Sequence, residues 1–207
     1  MKRLMFLGLL VLGLLPGPAA AAAEAPDAMI RRLSNEVLER IRNDKEIQAG
    51  DFRKLSDMVD ATIMPHVNFQ RMTALAVGRN WRGATPEQQK ALMAEFRALL
   101  LRTYSGALSA VKDQTVRMKP FRADPAESEV IVRSEIVQPR GEPIELDYRL
   151  EKGNDAWRIF DVNVGGVWLV ETYRTQFGQE IAAKGIDGLI QTLSDKNKAF
   201  ERARTKS

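Results

Sequence analysis

The apolar residues of this 207-residue chain change their spacing twice, from a period of 3.6 to a period of 2 and back. That order limits the folds open to it, because each element type must bury its own kind of face. The first regime culminates in Thr85-Pro86-Glu87-Gln88. Thr85 caps a helix, Pro86 suits its first position, and Gln88 bonds back to close a capping box. Behind it Leu92, Phe96, Leu99, Leu100, Tyr104, Ala107, Leu108 and Val111 form one stripe of a long amphipathic helix. Upstream, Ile30, Leu33, Val37 and Ile41 mark a helix within 27–41. Leu55, Met58, Val59 and Ile63 mark a short one that ends near Pro65. Asn68 caps a third, which stops near Gly78.

From Val130 the period is 2. Val130, Val132, Ser134 and Ile136 alternate with Ile131, Arg133, Glu135 and Val137. Beyond a turn between Pro139 and Pro143, Ile144, Leu146, Tyr148 and Leu150 share a face opposite Glu145, Asp147, Arg149 and Glu151. Gly153-Asn154 turns the chain into a strand from Trp157 to Val164, and a further strand is expected from Thr115 to Lys119. Such short turns imply an antiparallel meander with one wet face and one covered face. Gly165 and Gly166 are expected to restart a helix with Val167, Val170, Tyr173, Phe177 and Ile181 on its buried side. Gly185 interrupts it before a last stripe of Ile186, Leu189, Ile190 and Leu193. The fold class is α+β, with helices packed around one curved four-stranded antiparallel sheet.

The first residues read as an export signal. Lys2 and Arg3 precede an apolar run from Leu4 to Leu15, Pro16-Gly17-Pro18 breaks it, and Ala19 to Ala23 offers small-residue cleavage sites. The run is too short to cross a bilayer, which needs roughly 20 apolar residues. The expected organisation is a cleaved signal peptide over 1–23, one domain over 24–197 and a basic tail over 198–207. Losing Lys2 and Arg3 leaves 29 basic residues against 27 acidic, a balance too even for a nucleic-acid binder. The late cations Lys196, Lys198, Arg202, Arg204 and Lys206 read as a frayed, solvated tail. The chain has no cysteine, so there is neither a lipid-acceptor thiol nor a disulfide, and stability rests on an ordinary core.

Catalytic signals are absent from the sequence. His66 is the one histidine, no metal-ligand spacing occurs, and the glycines form neither a dinucleotide fingerprint nor a phosphate loop. No catalytic residue, metal or cofactor is assigned. What remains is an apolar inventory on the sheet and helices. Periodicity does not distinguish a filled core from a lined cavity, the usual form of a small-molecule site.

Several segments resemble the MlaC-type periplasmic phospholipid-binding proteins, also called the toluene-tolerance auxiliary family. They are Gly78-Arg79-Asn80-Trp81-Arg82-Gly83-Ala84-Thr85 with the helix that follows, Leu146-Asp147-Tyr148-Arg149-Leu150, and Trp157-Arg158-Ile159-Phe160-Asp161-Val162. The stretch from Gly166 to Phe177 and Lys184-Gly185-Ile186-Asp187-Gly188-Leu189 complete the set. Similar proteins usually carry serine where this chain has Trp168, and often glutamate where it has Gly165.

The resemblance implies a periplasmic, non-catalytic carrier holding phospholipid as cargo in an apolar cavity between sheet and helices. Its implied partners are an inner-membrane MCE-type ABC transporter complex and an outer-membrane lipoprotein–porin complex, and its implied role is outer-membrane lipid asymmetry. Physics agrees with the need: exposing two acyl chains of ~16 carbons, at ~0.8 kcal/mol per CH₂, costs on the order of 20 kcal/mol. Helix and strand faces select Leu100, Tyr104, Val132, Ile136, Leu146, Tyr148, Val162, Val167, Val170 and Tyr173 as candidate tail contacts. Arg149 and Arg79 are candidates for the head-group phosphate, with a plain surface role as the alternative. Competing readings are a hopanoid carrier of the same family, a small-molecule enzyme on a cone-shaped α+β scaffold, and a periplasmic chaperone.

Overall fold

The structure, a computed structural model, describes residues 24–124 and 126–205; the signal-peptide reading of 1–23 lies outside the described residues. Helix α1 (Pro26–Asn43) is followed by two short helices, α2 (Lys45–Gln48) and α3 (Phe52–Met58). The side chains of Asp44 and Asp51 cap them by accepting the first free N–H groups. The chain then widens into a π-turn (Val59–Ile63) and tightens into a 3₁₀ turn (Met64–His66) around Pro65, whose missing N–H forbids a regular helix. Helix α4 (Phe69–Val77) is capped by Asn68, whose Oδ1 accepts from Arg71 N at 3.0 Å.

Helix α5 (Pro86–Ser109) opens with the expected reciprocal box. Gln88 N donates to Thr85 Oγ1 at 3.2 Å, and Thr85 N donates to Gln88 Oε1 at 3.0 Å.

The strands are β1 (Thr115–Met118), β2 (Glu129–Val132), β3 (Ser134–Val137), β4 (Ile144–Lys152), β5 (Trp157–Val164) and β6 (Val167–Trp168). They form one antiparallel sheet in the order β1-β3-β4-β5-β6, with β2 pairing along the far half of β4. Two features add to the four strands expected. The Val130–Val137 stretch divides at Arg133, because Asp147 Oδ1 takes the Ser134 N–H at 3.1 Å in place of a ladder bond. The turn through Gly165 and Gly166, at φ 61° and 87°, makes a hairpin, so Val167 lies in β6 and the helix begins at Leu169. Arg149 pairs with Asp161 while Leu150 pairs with Ile159, leaving Phe160 as the extra residue of a bulge that bends β5.

Helix α6 (Leu169–Thr205) continues through the basic segment expected to fray, its cations Lys196, Lys198 and Arg202 exposed. It breaks only at Gly185, where φ is 71° and ψ −177°.

Three apolar clusters hold these layers together. Met29, Ile30 and Leu33 of α1 cover Val130, Val132, Tyr148, Leu150, Trp157 and Ile159 at one end of the inner sheet face. Met72, Leu92, Phe96, Val170, Phe177 and Leu189 join α4, α5 and α6. Leu38, Ile41, Leu55, Met58 and Leu101 join α1 and α3 to α5.

Candidate functional site

Register carries the inner apolar face past the part that α1 covers. Leu146 stands beside Val164 and Val164 beside Val167; Val116 stands beside Ile136 and Ile136 beside Ile144. By alternation these six share the face of Tyr148 and Leu150. They are not sealed: Ile144 is 40 % exposed and Val167 51 %, and Ile136, Leu146 and Val164 are half-buried, whereas Val116 packs against the cluster of α1, α3 and α5. One end of the inner face is therefore packed, and the other is an apolar floor without a full cover.

Beside the sheet stands the helical cluster of α4, α5 and α6, of which α6 meets β5 and β6. Leu100, Tyr173 and Val162 border the helical cluster and Val170 lies within it. The rings are locked edge to face, Phe96 to Tyr173 at 4.8 Å and Phe96 to Phe177 at 5.1 Å. Tyr104, one turn beyond Leu100, is half-buried and belongs to none of the three clusters. The sheet is approached closely by α1, α4 and α6, while α5 packs on α6, α4 and α3.

The residues selected from the sequence fall into four settings. Six are half-buried: Ile136 and Leu146 on the floor, Val162 beside Tyr148 on β5, and Leu100, Tyr104 and Tyr173 on α5 and α6. Val132, Tyr148 and Val170 are buried in packed clusters and back the site. Val167 lies at its exposed rim. The two arginines stand apart from the floor. Arg149 alternates with Tyr148 and so projects from the other sheet face, where Nη1 donates to Asp161 Oδ2 at 2.9 Å and the guanidinium lies over the Trp168 ring. Arg79 is exposed in the 3₁₀ turn Gly78–Gly83. Ile144 and Val164 belong to the floor but were not selected; the alternation that singles out Leu146 also marks them.

Asp161 is buried, and its Oδ1 accepts from Val162 N at 2.9 Å and from Val170 N at 3.0 Å. It thereby fixes the start of α6 to the sheet. Burial raises its pKa above the ordinary carboxylate value, against the pull of the two backbone N–H groups and Arg149. His66 is half-buried beside Arg32 and Glu24, and burial is the main cause of its lowered pKa. Among the described residues no group of three or more His, Asp or Glu side chains could hold a metal ion. No helix among them is long and apolar enough to cross a membrane.

Two open grooves run along α1. One of about 680 Å³ lies between α1, α2 and α3, lined by Glu36, Glu39, Arg40, Lys54 and Asp57 among others. The other, of about 510 Å³, lies between α1 and β1 and meets the sheet face at Val116. Neither contains a residue selected from the sequence.

An apolar sheet face packed at one end, uncovered at the other and walled by helices defines an α+β binding domain of the kind that takes apolar ligands. The chain belongs to the MlaC family, whose model, described as MlaC protein, matches residues 31–195. It is similar to the toluene tolerance protein ttg2D of Pseudomonas putida, at 24% identity over 181 residues, 87% of this chain and 84% of that protein. Among solved structures it is similar to the phospholipid-binding protein of Ralstonia solanacearum, determined in complex with a phospholipid. The TM-score there is 0.82 at 41% identity, covering 84% of this chain and 98% of the other.

Proposed function

We propose that this protein is a non-catalytic phospholipid carrier that holds acyl tails between the uncovered end of its sheet and helices α5 and α6. The observation that carries the reading is the apolar floor itself. Ile136, Ile144, Leu146, Val164 and Val167 form a contiguous inner face that the protein's own helices leave partly exposed. Leaving such a face to water is unfavourable at roughly 25 cal/mol per Å², so an apolar ligand gains by covering it. The phospholipid in the similar Ralstonia solanacearum structure supports this choice of ligand. Half-buried Leu100, Tyr104 and Tyr173 supply the helical wall, Val162 extends the sheet face beside Tyr148, and Val132, Tyr148 and Val170 hold the shape behind them.

Arg149 is committed to Asp161 and Trp168, so its role in this reading is to brace the sheet. Arg79 remains the candidate for an anionic head group. Residues 1–23 serve as a cleaved signal peptide, and the mature chain works in the periplasm. There it exchanges lipid between an outer-membrane lipoprotein–porin complex and an inner-membrane MCE-type ABC transporter, and so maintains outer-membrane lipid asymmetry.

Native mass spectrometry of protein purified without added lipid tests the carrier reading. A mass increment released as phospholipid on organic extraction is expected. Protein that emerges bare and takes up no phospholipid from vesicles contradicts it, and an extracted hopanoid would reassign the cargo.

A further inference from the structure

The turn between α4 and α5 carries cations that the fold leaves without counter-charges. Gly78–Gly83 is a 3₁₀ turn, so Arg79 and Arg82, three residues apart, stand above each other on one exposed edge. Exposed Arg174 of α6 joins them. Its Nε lies 3.6 Å from the position a Cβ on Gly78 would take, at the start of the same turn. The mount is rigid: Trp81 packs against the helical cluster, and its carbonyl accepts from Gln89 Nε2 at 3.0 Å and from Ala84 N at 3.3 Å. Elsewhere Arg71, Arg97, Arg102, Arg117 and Arg149 each hold a carboxylate. Among the described residues no carboxylate pairs with Arg79, Arg82 or Arg174. Glu171, one turn before Arg174, and Glu87, in the first turn of α5, are the acidic groups nearest in sequence.

A single small anion gains little at such exposed arginines, because water and salt screen each pair. An anionic bilayer differs. Its field acts on every cation near it at once, and its phosphodiesters suit a guanidinium fork. From the convergence of Arg79, Arg82 and Arg174 on one rigid turn, we infer that they form a docking patch for the surface of a membrane containing anionic phospholipid. Charge complementarity points to this occupant. Without Lys2 and Arg3 the chain carries 29 basic residues against 27 acidic, so the molecule as a whole is drawn only weakly to an anionic surface. A local cluster of cations then decides which side faces the bilayer. Docking goes beyond the carrier reading and needs no tail site. Arg79, the head-group candidate, meets the head groups of the membrane there.

The test is flotation of the delipidated full mature chain with vesicles of phosphatidylcholine, either alone or mixed equally with phosphatidylglycerol. Protein is expected to float with the mixed vesicles at low ionic strength, not with phosphatidylcholine alone, and to be released as salt is added. The triple variant Arg79→Ala, Arg82→Ala, Arg174→Ala should lose about fivefold in binding per arginine, on the order of a hundredfold in all. A second triple variant, Arg53→Ala, Arg122→Ala, Arg140→Ala, removes the same charge from exposed positions elsewhere and should stay within about threefold. Arg82→Glu reads the loss through one exposed change that leaves the core untouched. Protein that takes up a lipid and leaves with it stays in the vesicle-free layer, so flotation reads docking apart from carriage. No flotation with anionic vesicles, equal flotation with both kinds, or equal losses in the two triple variants overturns the patch and leaves the carrier reading standing. Binding to poly-glutamate in place of vesicles, lost in the first triple variant, also overturns it and assigns the cluster to an acidic protein.

Discussion

The guanidinium of Arg149 lies over the ring of Trp168, 4.0 Å from its centroid, on the face of the sheet opposite the apolar floor. This contact ties β4 to the short edge strand β6 across β5, and β6 leads directly into α6. A cation over an indole contributes about 0.5–2 kcal/mol depending on desolvation. It gives the bulk of Trp168 a place on the outer face of the sheet, away from the apolar floor. Trp168→Ser is expected to cost about 1 kcal/mol of stability. In a double-mutant cycle by urea unfolding, most of that cost should vanish when Arg149→Ala is already present. Additive costs would show that the stack contributes nothing.

Asp161 joins the same network from beneath, and its two oxygens have separate tasks. Oδ1 takes the Val162 and Val170 N–H groups, whereas Oδ2 takes Arg149. Asparagine can keep the first pair of contacts; alanine keeps none. Asp161→Ala should therefore cost about 1–3 kcal/mol, the penalty for an unpaired buried donor, and Asp161→Asn distinctly less. The pH dependence has a definite sign. A carboxyl whose pKa is raised by folding binds its proton more tightly in the folded state. Its contribution to stability is present below the unfolded value near 3.9 and is lost as pH rises through the folded value. The unsubstituted protein should therefore lose stability relative to Asp161→Asn as pH rises, so the cost of the substitution is largest in acid and shrinks toward neutral pH. A cost that grows as pH rises from acid to neutral would contradict this.

Tyr148 supplies the alkaline counterpart. It is packed under α1 with its hydroxyl on Ser34, and burial pushes its pKa up to about 12 from an ordinary value near 10. The protonated phenol is favoured by folding, so the associated stability is complete below pH 10 and lost as pH climbs to about 12. The difference corresponds to about 3 kcal/mol. Ultraviolet titration should place one tyrosine well above the others, and Tyr148→Phe should remove the corresponding stability loss between these pH values. A Tyr148 that ionises near pH 10 without unfolding would refute the packed setting.

Much of this architecture was legible because period and capping are local. The box at Thr85 and Gln88, the Asn68 cap and the alternation through Tyr148 all follow from spacing, and each appears where expected. Part of what escaped depends on contacts distant in sequence: the break at Arg133 comes from the Asp147 carboxylate. The rest is local, because the turn at Gly165 and Gly166 lays Val167 beside Val164, a tight hairpin hidden by the helical period that starts at Val167. The same limit applies to the site. Alternation puts Arg149 on the opposite face from Tyr148, yet only the fold brings Trp168 over it. Nor does a pattern of apolar residues reveal that α1 covers Val132 and leaves Ile144 open.

Gly185 tests how the break in α6 is held. Its φ of 71° and ψ of −177° belong to a region that residues with a Cβ rarely adopt, and no neighbour lies within 4 Å of the position a Cβ would take. Gly185→Ala therefore meets backbone strain without a clash, and a loss of about 1–3 kcal/mol is expected in chemical denaturation. A neutral substitution would mean that α6 runs straight through this point.

The central claim is that acyl tails lie on the uncovered inner face of the sheet. A phosphatidylethanolamine carrying a diazirine near the end of one acyl chain, bound to the purified protein and irradiated, tests it most directly. The account predicts adducts on residues of the floor and its wall, such as Ile136, Leu146, Val164 and Tyr104. Adducts confined to the charged groove around Glu39 and Lys54, or to the outer face around Ile131, would contradict it.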